Sequence, residues 1–336
     1  MKKRKILITG AAGFVGRNFV TRCRRELSYF DTLLLIYKKG DKKEEKIEAL
    51  FRKWDFKLKK VDLINSKDLT KLNFNPDIVI HLAASTDTSQ KNHQTNDIGT
   101  KNLIESFKKF GPEAHFIYTS TTAIYAGRGN CKEPIDDYTS PQPSNEYGRT
   151  KLKAEKYLEE EAKKKKFRLT ILRLSTVYGK NTRENGLFSI LKKAIKSGGI
   201  ISRLNWPGLT SLVHVDEVSD ALWKIAQSPP PPGKPEIFIV LSDSLTMSGI
   251  SKFMHKEMGV KYKEFRLSRM VWELASYTRV LNSGVERLLP YSFYNIFWRF
   301  SLISDHALWC ESYTLKKRLQ DWEPRKFSEG VKDVVA

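Results

Sequence analysis

The sequence predicts an α/β protein that has a doubly wound parallel sheet and a smaller, mostly helical C-terminal lobe. Short apolar runs alternate with helical patterns, a glycine-rich turn follows the first run, and the composition changes after Ser242. Apolar runs without polar alternation are typical of strands buried on both faces, and their alternation with helices implies βαβ units. The predicted strands are residues 6–8, 33–36, 78–80, 116–118, 169–172 and 237–240.

The composition is typical of a globular chain that folds without metal or disulfides. With 336 residues, of which 40% are hydrophobic and 11% aromatic, the chain can bury a sizeable core. Cys23, Cys131 and Cys310 are too few and too scattered for a disulfide framework or a cysteine-rich zinc site. No apolar run reaches the roughly 18 residues of a membrane span. We therefore expect a cytoplasmic protein that has no metal site and no transmembrane helix.

The formal charge of +21 needs an explanation. A lysine-rich solvated face, an anionic membrane surface or nucleic acid would each account for it. Of these three explanations we favour the solvated face. A membrane surface comes second and would make the protein peripheral to the membrane, and we do not expect a nucleic-acid partner.

A glycine fingerprint follows the first predicted strand and opens a helix. Its glycines permit a tight turn, a close approach of the backbone to a pyrophosphate, and close packing of helix on strand. The helix N-terminus then favours the negative charge of the phosphates. The sequence thus predicts a Rossmann-type dinucleotide site, for which the expected contacts are Gly10, Gly13, Phe14, Val15 and Gly16.

The end of the second strand bears on the choice of cofactor. An NAD-binding site usually has a carboxylate there for the ribose hydroxyls, whereas this chain has Tyr37, Lys38 and Lys39. Two cations without a carboxylate suit a 2′-phosphate, so we expect NADP ahead of NAD. The alternative is that both lysines belong to the general basic surface.

Tyr147 and Lys151 form a candidate proton-transfer pair. Their spacing of four places phenol and ammonium on one face of a predicted helix. A nearby ammonium favours the phenolate and lowers the tyrosine pKa towards the range useful to an acid or base. Tyr313 and Lys317 repeat the spacing, but no strand or glycine loop adjoins them, so we interpret that pair as chance.

With these features the chain resembles the extended short-chain dehydrogenase/reductases, the family of NAD-dependent nucleotide-sugar epimerases and dehydratases. The resemblance covers about residues 4–242 and consists of several motifs in the family's order. Besides the glycine loop and the Tyr147/Lys151 pair, these are Asp62 and residues 81–84, 96–103, 119–125, 173–179 and 214–217.

The resemblance implies further contacts with the cofactor. Asp62 and Leu63 would adjoin the adenine, although Asp62 could instead be a turn residue. The backbone of Leu82, Ala83 and Ala84 would lie along the cofactor. The family also implies a homodimer formed through two long helices.

The resemblance likewise implies a division of chemical roles. Tyr147 would exchange a proton with the substrate, Lys151 would lower the tyrosine pKa and hold the nicotinamide ribose, and the nicotinamide would carry the hydride. Thr121 would hydrogen-bond the reacting oxygen, unless it merely satisfies a strand end. His81 is expected to be a packed strand-end histidine and not a catalytic one.

Three positions depart from the family's pattern near the substrate. Sugar 4,6-dehydratases carry an Asp-Glu pair where this chain has Thr122 and Ala123, so we do not expect dehydration. Thr176 replaces the asparagine expected after the sixth strand, which indicates a divergent substrate site.

A fourth departure concerns the diphosphate of a nucleotide sugar. Many family members have an arginine four residues before His214, and this chain has Thr210 there. A diphosphate-sugar substrate is therefore less favoured, although Arg183 or Arg203 could substitute.

The predicted domains follow from these motifs. Residues 1–180 form the NAD(P)-binding domain, to which 212–242 return, and residues 181–211 and 243–336 form the substrate lobe. Within that lobe, residues 265–300 mix Arg with Trp, Tyr and Phe, as at a membrane interface. The alternative is that these aromatic side chains form the core of the lobe.

The first functional hypothesis is an NAD(P)-dependent oxidoreductase. It would transfer a hydride at a secondary alcohol or ketone of a small, sugar-like substrate linked to a nucleotide or a lipid, as an epimerase or a ketoreductase. A second hypothesis is a hydroxysteroid-type or lipid-type dehydrogenase at a membrane surface. A third is a non-catalytic dinucleotide-binding sensor or RNA binder, although a pure binder has no chemical reason to keep Thr121, Tyr147 and Lys151 together.

Overall fold

The structure is a computed structural model that describes residues 3–37, 42–182, 186–274 and 290–336. Its centre is a seven-stranded sheet in which every neighbouring pair is parallel, in the order β3-β2-β1-β4-β5-β6-β9. The six predicted strands all lie in it, which confirms the predicted fold class. The strands are β1 Lys5–Thr9, β2 Asp31–Tyr37, β3 Lys57–Val61, β4 Ile78–His81, β5 His115–Thr121, β6 Arg168–Leu174 and β9 Glu236–Val240.

Strand β3 is absent from the sequence prediction. Its sequence, Lys-Leu-Lys-Lys-Val, carries three lysines, and only Val61 is fully buried. The strand pairs with β2 alone, at one edge of the sheet. An edge strand tolerates and often carries lysine, so a test for continuous apolar runs cannot detect it.

Helices cover both faces of this sheet and continue into the C-terminal lobe. They are α1 Phe14–Arg22, α2 Arg24–Leu27, α3 Lys42–Lys53, α4 Ser66–Thr70, α5 Gln94–Glu105, α6 Glu146–Lys165, α7 Leu187–Lys196, α8 Val215–Gln227, α9 Met247–Glu257, α10 Tyr291–Ser304, α11 Thr314–Arg318, α12 Phe327–Gly330 and α13 Lys332–Val335. Residues 269–274 are also helical, and short 3-10 turns span Thr122–Tyr125 and Ile200–Ser202.

The core lies in two layers, one on each face of the sheet. Successive side chains of a strand point to opposite faces, so Ile6 and Ile8 of β1 pack on one side and Leu7 on the other. The first layer includes side chains of α1 and α8, and the second those of α5 and α6. Helix α6, which carries Tyr147 and Lys151, is thereby fixed against the sheet.

The chain changes its winding direction between β1 and β4. From β1 it proceeds through β2 to β3 at one edge, and then returns to β4 on the other side of β1. The loops after β1 and β4 therefore diverge and leave a crevice at the carboxyl ends of the strands, where doubly wound sheets bind ligands.

The lobe contains a small sheet as well as helices. Strands β7 Thr176–Tyr178, β8 Leu209–His214 and β10 Asp243–Thr246 form it in the order β10-β8-β7. Its core includes Tyr178, Phe188, Trp206, Trp272 and Phe327.

The C-terminal residues bear on the predicted domain boundaries. Leu315, Leu319 and Trp322 pack with α1 and α8 on the main sheet, whereas Phe327 and Val331 pack in the core of the lobe. The chain thus lies on the main sheet at residues 315–322 and crosses to the lobe between Trp322 and Phe327. The division into 1–180 with 212–242, and 181–211 with 243–336, stays a prediction.

Within the described ranges, no helix is both long and apolar enough to span a membrane.

Candidate active site

The glycine loop has the geometry that a dinucleotide cradle requires. Gly10 has φ +66°, and a Cβ there would lie 2.6 Å from the amide nitrogen of Ala83. A Cβ on Gly16 would lie 2.1 Å from the carbonyl oxygen of Gly10. Because α1 begins at Phe14, directly after Gly13, its first amides face the crevice.

A cavity of about 710 Å³ occupies the crevice. It brings together all the predicted cofactor-binding and catalytic residues that the structure describes. These are Gly10, Gly13, Phe14, Val15, Gly16, Tyr37, Asp62, Leu63, Leu82, Ala83, Ala84, Thr121, Tyr147 and Lys151. Lys38 and Lys39, which carried the expectation of NADP, lie outside the described residues.

Two serine hydroxyls add polar groups to the wall of this cavity. The Oγ atoms of Ser120 and Ser175 are buried and have no hydrogen-bond partner among the described residues. A buried hydroxyl normally finds a partner. Together with the glycine cradle, these two hydroxyls fit a polar ligand such as a dinucleotide.

His81 ties the ends of β1 and β4 together behind the cavity. Its Nδ1 lies 2.6 Å from Oγ1 of Thr9, and its Nε2 lies 2.9 Å from Oγ1 of Thr100. Burial, with a further effect of Lys151, lowers the pKa of His81 to about 3. His81 is thus a neutral, packed strand-end histidine, as the sequence predicts.

Asp62 and Tyr37 lie at the end of the cavity nearest β2 and β3. One carboxylate oxygen of Asp62 accepts a hydrogen bond from the amide of Ile64 at 3.1 Å, so the residue does shape a turn while it lines the cavity. Glu44, in the first turn of α3, lines the same cavity. This carboxylate was not among the predicted site residues, and it would repel a 2′-phosphate.

Thr121 ends β5 and caps the following 3-10 turn. Its Oγ1 accepts a hydrogen bond from the amide of Ala123 at 3.1 Å. That bond uses a lone pair of the oxygen, and the hydroxyl hydrogen can still donate to a ligand in the cavity. The strand-end role and the catalytic role are therefore compatible.

Lys151 is buried, with 1% of its surface exposed. Its ammonium donates to the carbonyl oxygen of Thr119 at 2.8 Å and lies 4.6 Å from the ring centre of Tyr118. Burial lowers the pKa of Lys151 to about 7, against an opposing effect of the Glu155 carboxylate. Near neutral pH this amine can therefore gain or lose a proton.

Tyr147 lies in the first turn of α6, whose N-cap is Asn145. The side chain of Asn145 accepts from the amide of Gly148 at 2.8 Å and fixes this turn. The ring of Tyr147 packs against His93, with ring centres 5.7 Å apart. His93 is buried, and its Nδ1 donates to the carbonyl of Ser85 at 2.9 Å. The cap thus fixes the backbone turn that carries Tyr147, and the fixed His93 supports its ring.

A buried ion pair fastens α6 to the sheet below the catalytic groups. Arg173 of β6 donates to Glu155 at 2.7 Å and to the phenol oxygen of Tyr125 at 2.6 Å. Glu155 is one helical turn after Lys151, and Tyr125 ends the turn that follows Thr121. The pair therefore fixes the segments that carry Thr121 and Lys151 relative to each other.

Comparison with known proteins identifies the family of this fold and site. The model of the NAD dependent epimerase/dehydratase family matches residues 6–240. The chain belongs to this family. Its members are enzymes, and the resemblance seen in the motifs is confirmed.

Individual relatives in the epimerase/dehydratase family are distant. The chain is 26% identical over 260 residues to the dTDP-L-rhamnose 4-epimerase of Burkholderia thailandensis, covering 65% of this chain and 72% of that one. It is 29% identical over 187 residues to the dTDP-D-glucose 4,6-dehydratase of Mus musculus, covering 52% and 51%. The UDP-glucuronic acid 4-epimerase of Bacillus cereus, solved with UDP-glucuronic acid and NAD, superposes with a TM-score of 0.73 at 21% identity, covering 98% of each chain.

The positions that depart from the family's pattern differ in their relation to the cavity. Thr122 and Ala123 are buried in the 3-10 turn and carry no carboxylate. Thr176 lines the cavity, and its Oγ1 lies 3.5 Å from Oγ1 of Thr210. Arg203 donates to the carbonyl of Gly198 and does not line the cavity.

Positively charged side chains are sparse in the cavity lining. Arg183, the other candidate for binding a diphosphate, lies outside the described residues. Among the residues the structure does describe, Lys151 is the one cation in the lining.

Proposed function

We propose that this protein interconverts the epimers of a sugar-like secondary alcohol, by oxidation to a ketone and reduction back on the opposite face, with a retained NAD. The observation that carries the proposal is the single cavity that holds the glycine cradle together with Thr121, Tyr147 and Lys151. The family contains epimerases and dehydratases, and the missing Asp-Glu pair favours the former. Net ketoreduction is the alternative that the experiment below separates.

The residues divide the chemistry as follows. Tyr147, as phenolate, takes the proton of the substrate hydroxyl and later returns it to the ketone oxygen. Thr121 donates a hydrogen bond to the same oxygen and stabilises its negative charge. The ammonium of Lys151 favours the phenolate electrostatically. A dinucleotide held by the glycine cradle and Lys151 would supply the hydride transfer to and from the substrate carbon.

The substrate class follows from the polarity and charge of the lining. The cavity lining includes the hydroxyl-bearing residues Ser120, Ser175 and Thr176, which suit a substrate rich in hydroxyls. The described lining offers no arginine to a diphosphate. We therefore infer that the sugar ring is the main recognised group and that its carrier, a nucleotide or a lipid, is bound weakly by this cavity.

The purified protein should carry NAD without any addition and should epimerise without consuming it. Nucleotide released by denaturation is identified by mass spectrometry. The protein is then incubated in deuterated water with UDP-glucose, UDP-glucuronic acid and UDP-N-acetylglucosamine, and the products are analysed by NMR. We expect an epimer whose carbon-bound hydrogen is retained, since a hydride is returned to the carbon that lost it. Stoichiometric reduction of added NADP⁺, with conversion of the sugar alcohol to its ketone, would instead establish the reverse reaction of a ketoreductase, and solvent deuterium on the epimerised carbon would rule out hydride return.

Glu44 is expected to select NAD over NADP. In Glu44→Gln, loss of the carboxylate should tighten NADPH binding by about fivefold, the equivalent of roughly 1 kcal/mol of repulsion at a partly exposed site, and change NADH binding by less than about twofold. Fluorescence titration of the cofactor-free protein at low salt measures both affinities. Glu45→Gln is the matched control because Glu45 is exposed and does not line the cavity. Equal effects of the two substitutions would show that Glu44 does not select the cofactor. Tighter binding of NADPH than NADH by the unaltered protein would establish NADP as the preferred cofactor.

A further inference from the structure

Exposed apolar side chains are frequent in two described segments of the lobe, residues 260–274 and 290–296. The described residues include sixteen large hydrophobic side chains that are exposed, and seven of them lie between residues 260 and 296. These seven are Val260, Phe265, Met270, Val271, Leu274, Phe293 and Ile296. Such clustering marks an interaction surface more often than chance exposure does.

Helix α10 has one face bound to the body and one face open. Its inner face donates from Tyr294 to the carbonyl of Ser144 and from Trp298 to the hydroxyl of Ser144. On the outer face, Phe293 is 57% and Ile296 is 63% exposed. These two are three residues apart and so neighbour each other on the helix surface.

The helical residues 269–274 repeat this arrangement. Trp272 is buried against Trp206, with ring centres 4.8 Å apart, while Met270 is 67% and Leu274 is 60% exposed. Phe300 of α10 packs on the same Trp206 at 5.4 Å. Both helical segments therefore pack on Trp206, and each of them carries exposed apolar residues. This surface, formed by Met270, Leu274, Phe293 and Ile296, is called the lobe face below.

The charge around the lobe face indicates the occupant. Residues 261–274 carry four basic side chains and two acidic ones in a chain of net charge +21. Arg266 and Arg269 form exposed ion pairs with Glu264 and Glu273, which bind weakly and leave the net positive charge in place. Apolar side chains flanked by cations match an anionic bilayer, into which the apolar groups insert while the cations meet the headgroups. We propose that the lobe face docks on an anionic lipid membrane.

The lobe face lies close to the active-site cavity. The phenol oxygen of Tyr291, at the start of α10, lies 3.0 and 3.1 Å from the carbonyl oxygens of Thr88 and Gln90 and can donate its hydrogen to either. Gln90 lines the cavity. A docked protein would hold this rim of the cavity near the headgroups. If the proposed epimerisation is correct, its substrate is then a sugar carried by a lipid, which needs no arginine for a nucleotide diphosphate. Docking itself does not depend on that step.

Vesicle sedimentation of the full-length protein tests the docking. We expect binding to vesicles of phosphatidylcholine with phosphatidylglycerol, little binding to phosphatidylcholine alone, and weaker binding at high salt. Phe293→Gln/Ile296→Gln and Met270→Gln/Leu274→Gln should each reduce binding by about tenfold or more, since each removes two inserted apolar side chains. The control, Tyr29→Gln/Tyr138→Gln, removes two other exposed rings and should change binding by less than about twofold.

Each alternative has a separate outcome. Failure to bind phosphatidylglycerol vesicles, or equal losses in the control, would overturn the proposal. If the lobe-face variants instead dissociate a dimer seen by light scattering while vesicle binding persists, the face is a subunit interface and the proposal is wrong. Circular dichroism confirms that each variant is folded. Epimerisation of a water-soluble sugar nucleotide tests the proposed function separately, because the lobe-face variants should leave it unchanged.

Discussion

Tyr147→Phe is expected to lower turnover by roughly 10²- to 10⁴-fold, the usual contribution of a positioned acid or base. The substitution removes the phenol oxygen alone. The ring can still pack against His93, and the N-cap bond from Gly148 to Asn145 does not involve it. Binding of NADH should therefore change by less than about twofold. Turnover is measured by the epimerisation assay and binding by fluorescence titration.

Tyr313→Phe is the matched control for Tyr147→Phe. Tyr313 has the same spacing to a lysine, but its side chain is exposed and lies outside the cavity lining. We expect its turnover to stay within about twofold of the unaltered protein. Comparable losses in both variants would show that Tyr147 is not the proton-transfer group, and a parallel loss of NADH affinity in Tyr147→Phe would assign it a structural role instead.

The fold could be predicted where burial leaves a local pattern. Strands such as β1 and β5 are covered on both faces, so their residues are continuously apolar and stand out in the sequence. Strands β3, β7 and β10 were missed because they are partly exposed and so need no continuous apolar run. Strand β8 is buried, but polar residues such as Thr210 and Ser211 interrupt its apolar pattern. Their pairing depends on which strand lies beside them, and that is a tertiary property.

The candidate site, too, could be predicted only where its residues form a local sequence pattern. The glycine loop and the Tyr147/Lys151 pair each lie within one turn or loop, so spacing alone is informative. Glu44 could not be found in this way, because it reaches the cavity from α3, seven residues beyond Tyr37, and not from the strand end that the usual pattern names. A search for any carboxylate in the helix after β2 would have detected it.

His93 and Glu155 were missed for a different reason. His93 contacts Tyr147 from the N-cap of α5, 54 positions away, and no periodicity links the two. Glu155 follows Lys151 by one helical turn and could have been read as a surface ion-pair partner. Its actual partner is Arg173 of β6, which only the packing of α6 on the sheet reveals.

Lys151→Met is expected to change how the stability of the cofactor-free protein depends on pH. Burial holds the pKa of Lys151 at about 7, against 10.5 when it is unfolded and solvated. Between these values the unfolded chain binds one proton more than the folded chain, so this residue makes stability rise with pH, by about 1.4 kcal/mol per pH unit. The loss of stability that this residue causes is absent above pH 10.5, grows as the pH falls, and is complete once the pH has fallen through 7. Lys151→Met should lack this pH-dependent loss of stability.

Urea denaturation at pH 7 and pH 9 measures the difference. Relative to the unaltered protein, Lys151→Met should be more stable at pH 7, and this advantage should shrink by about 2 to 3 kcal/mol at pH 9. Lys153→Met is the matched control, since Lys153 is exposed on the same helix and its charge is solvated in both states. If all three proteins show parallel pH dependence, the ammonium of Lys151 is not desolvated in the folded protein. Turnover should also fall in Lys151→Met at pH 7, where Lys151 is partly protonated, because the methionine that fills the same space carries no charge to favour the phenolate of Tyr147.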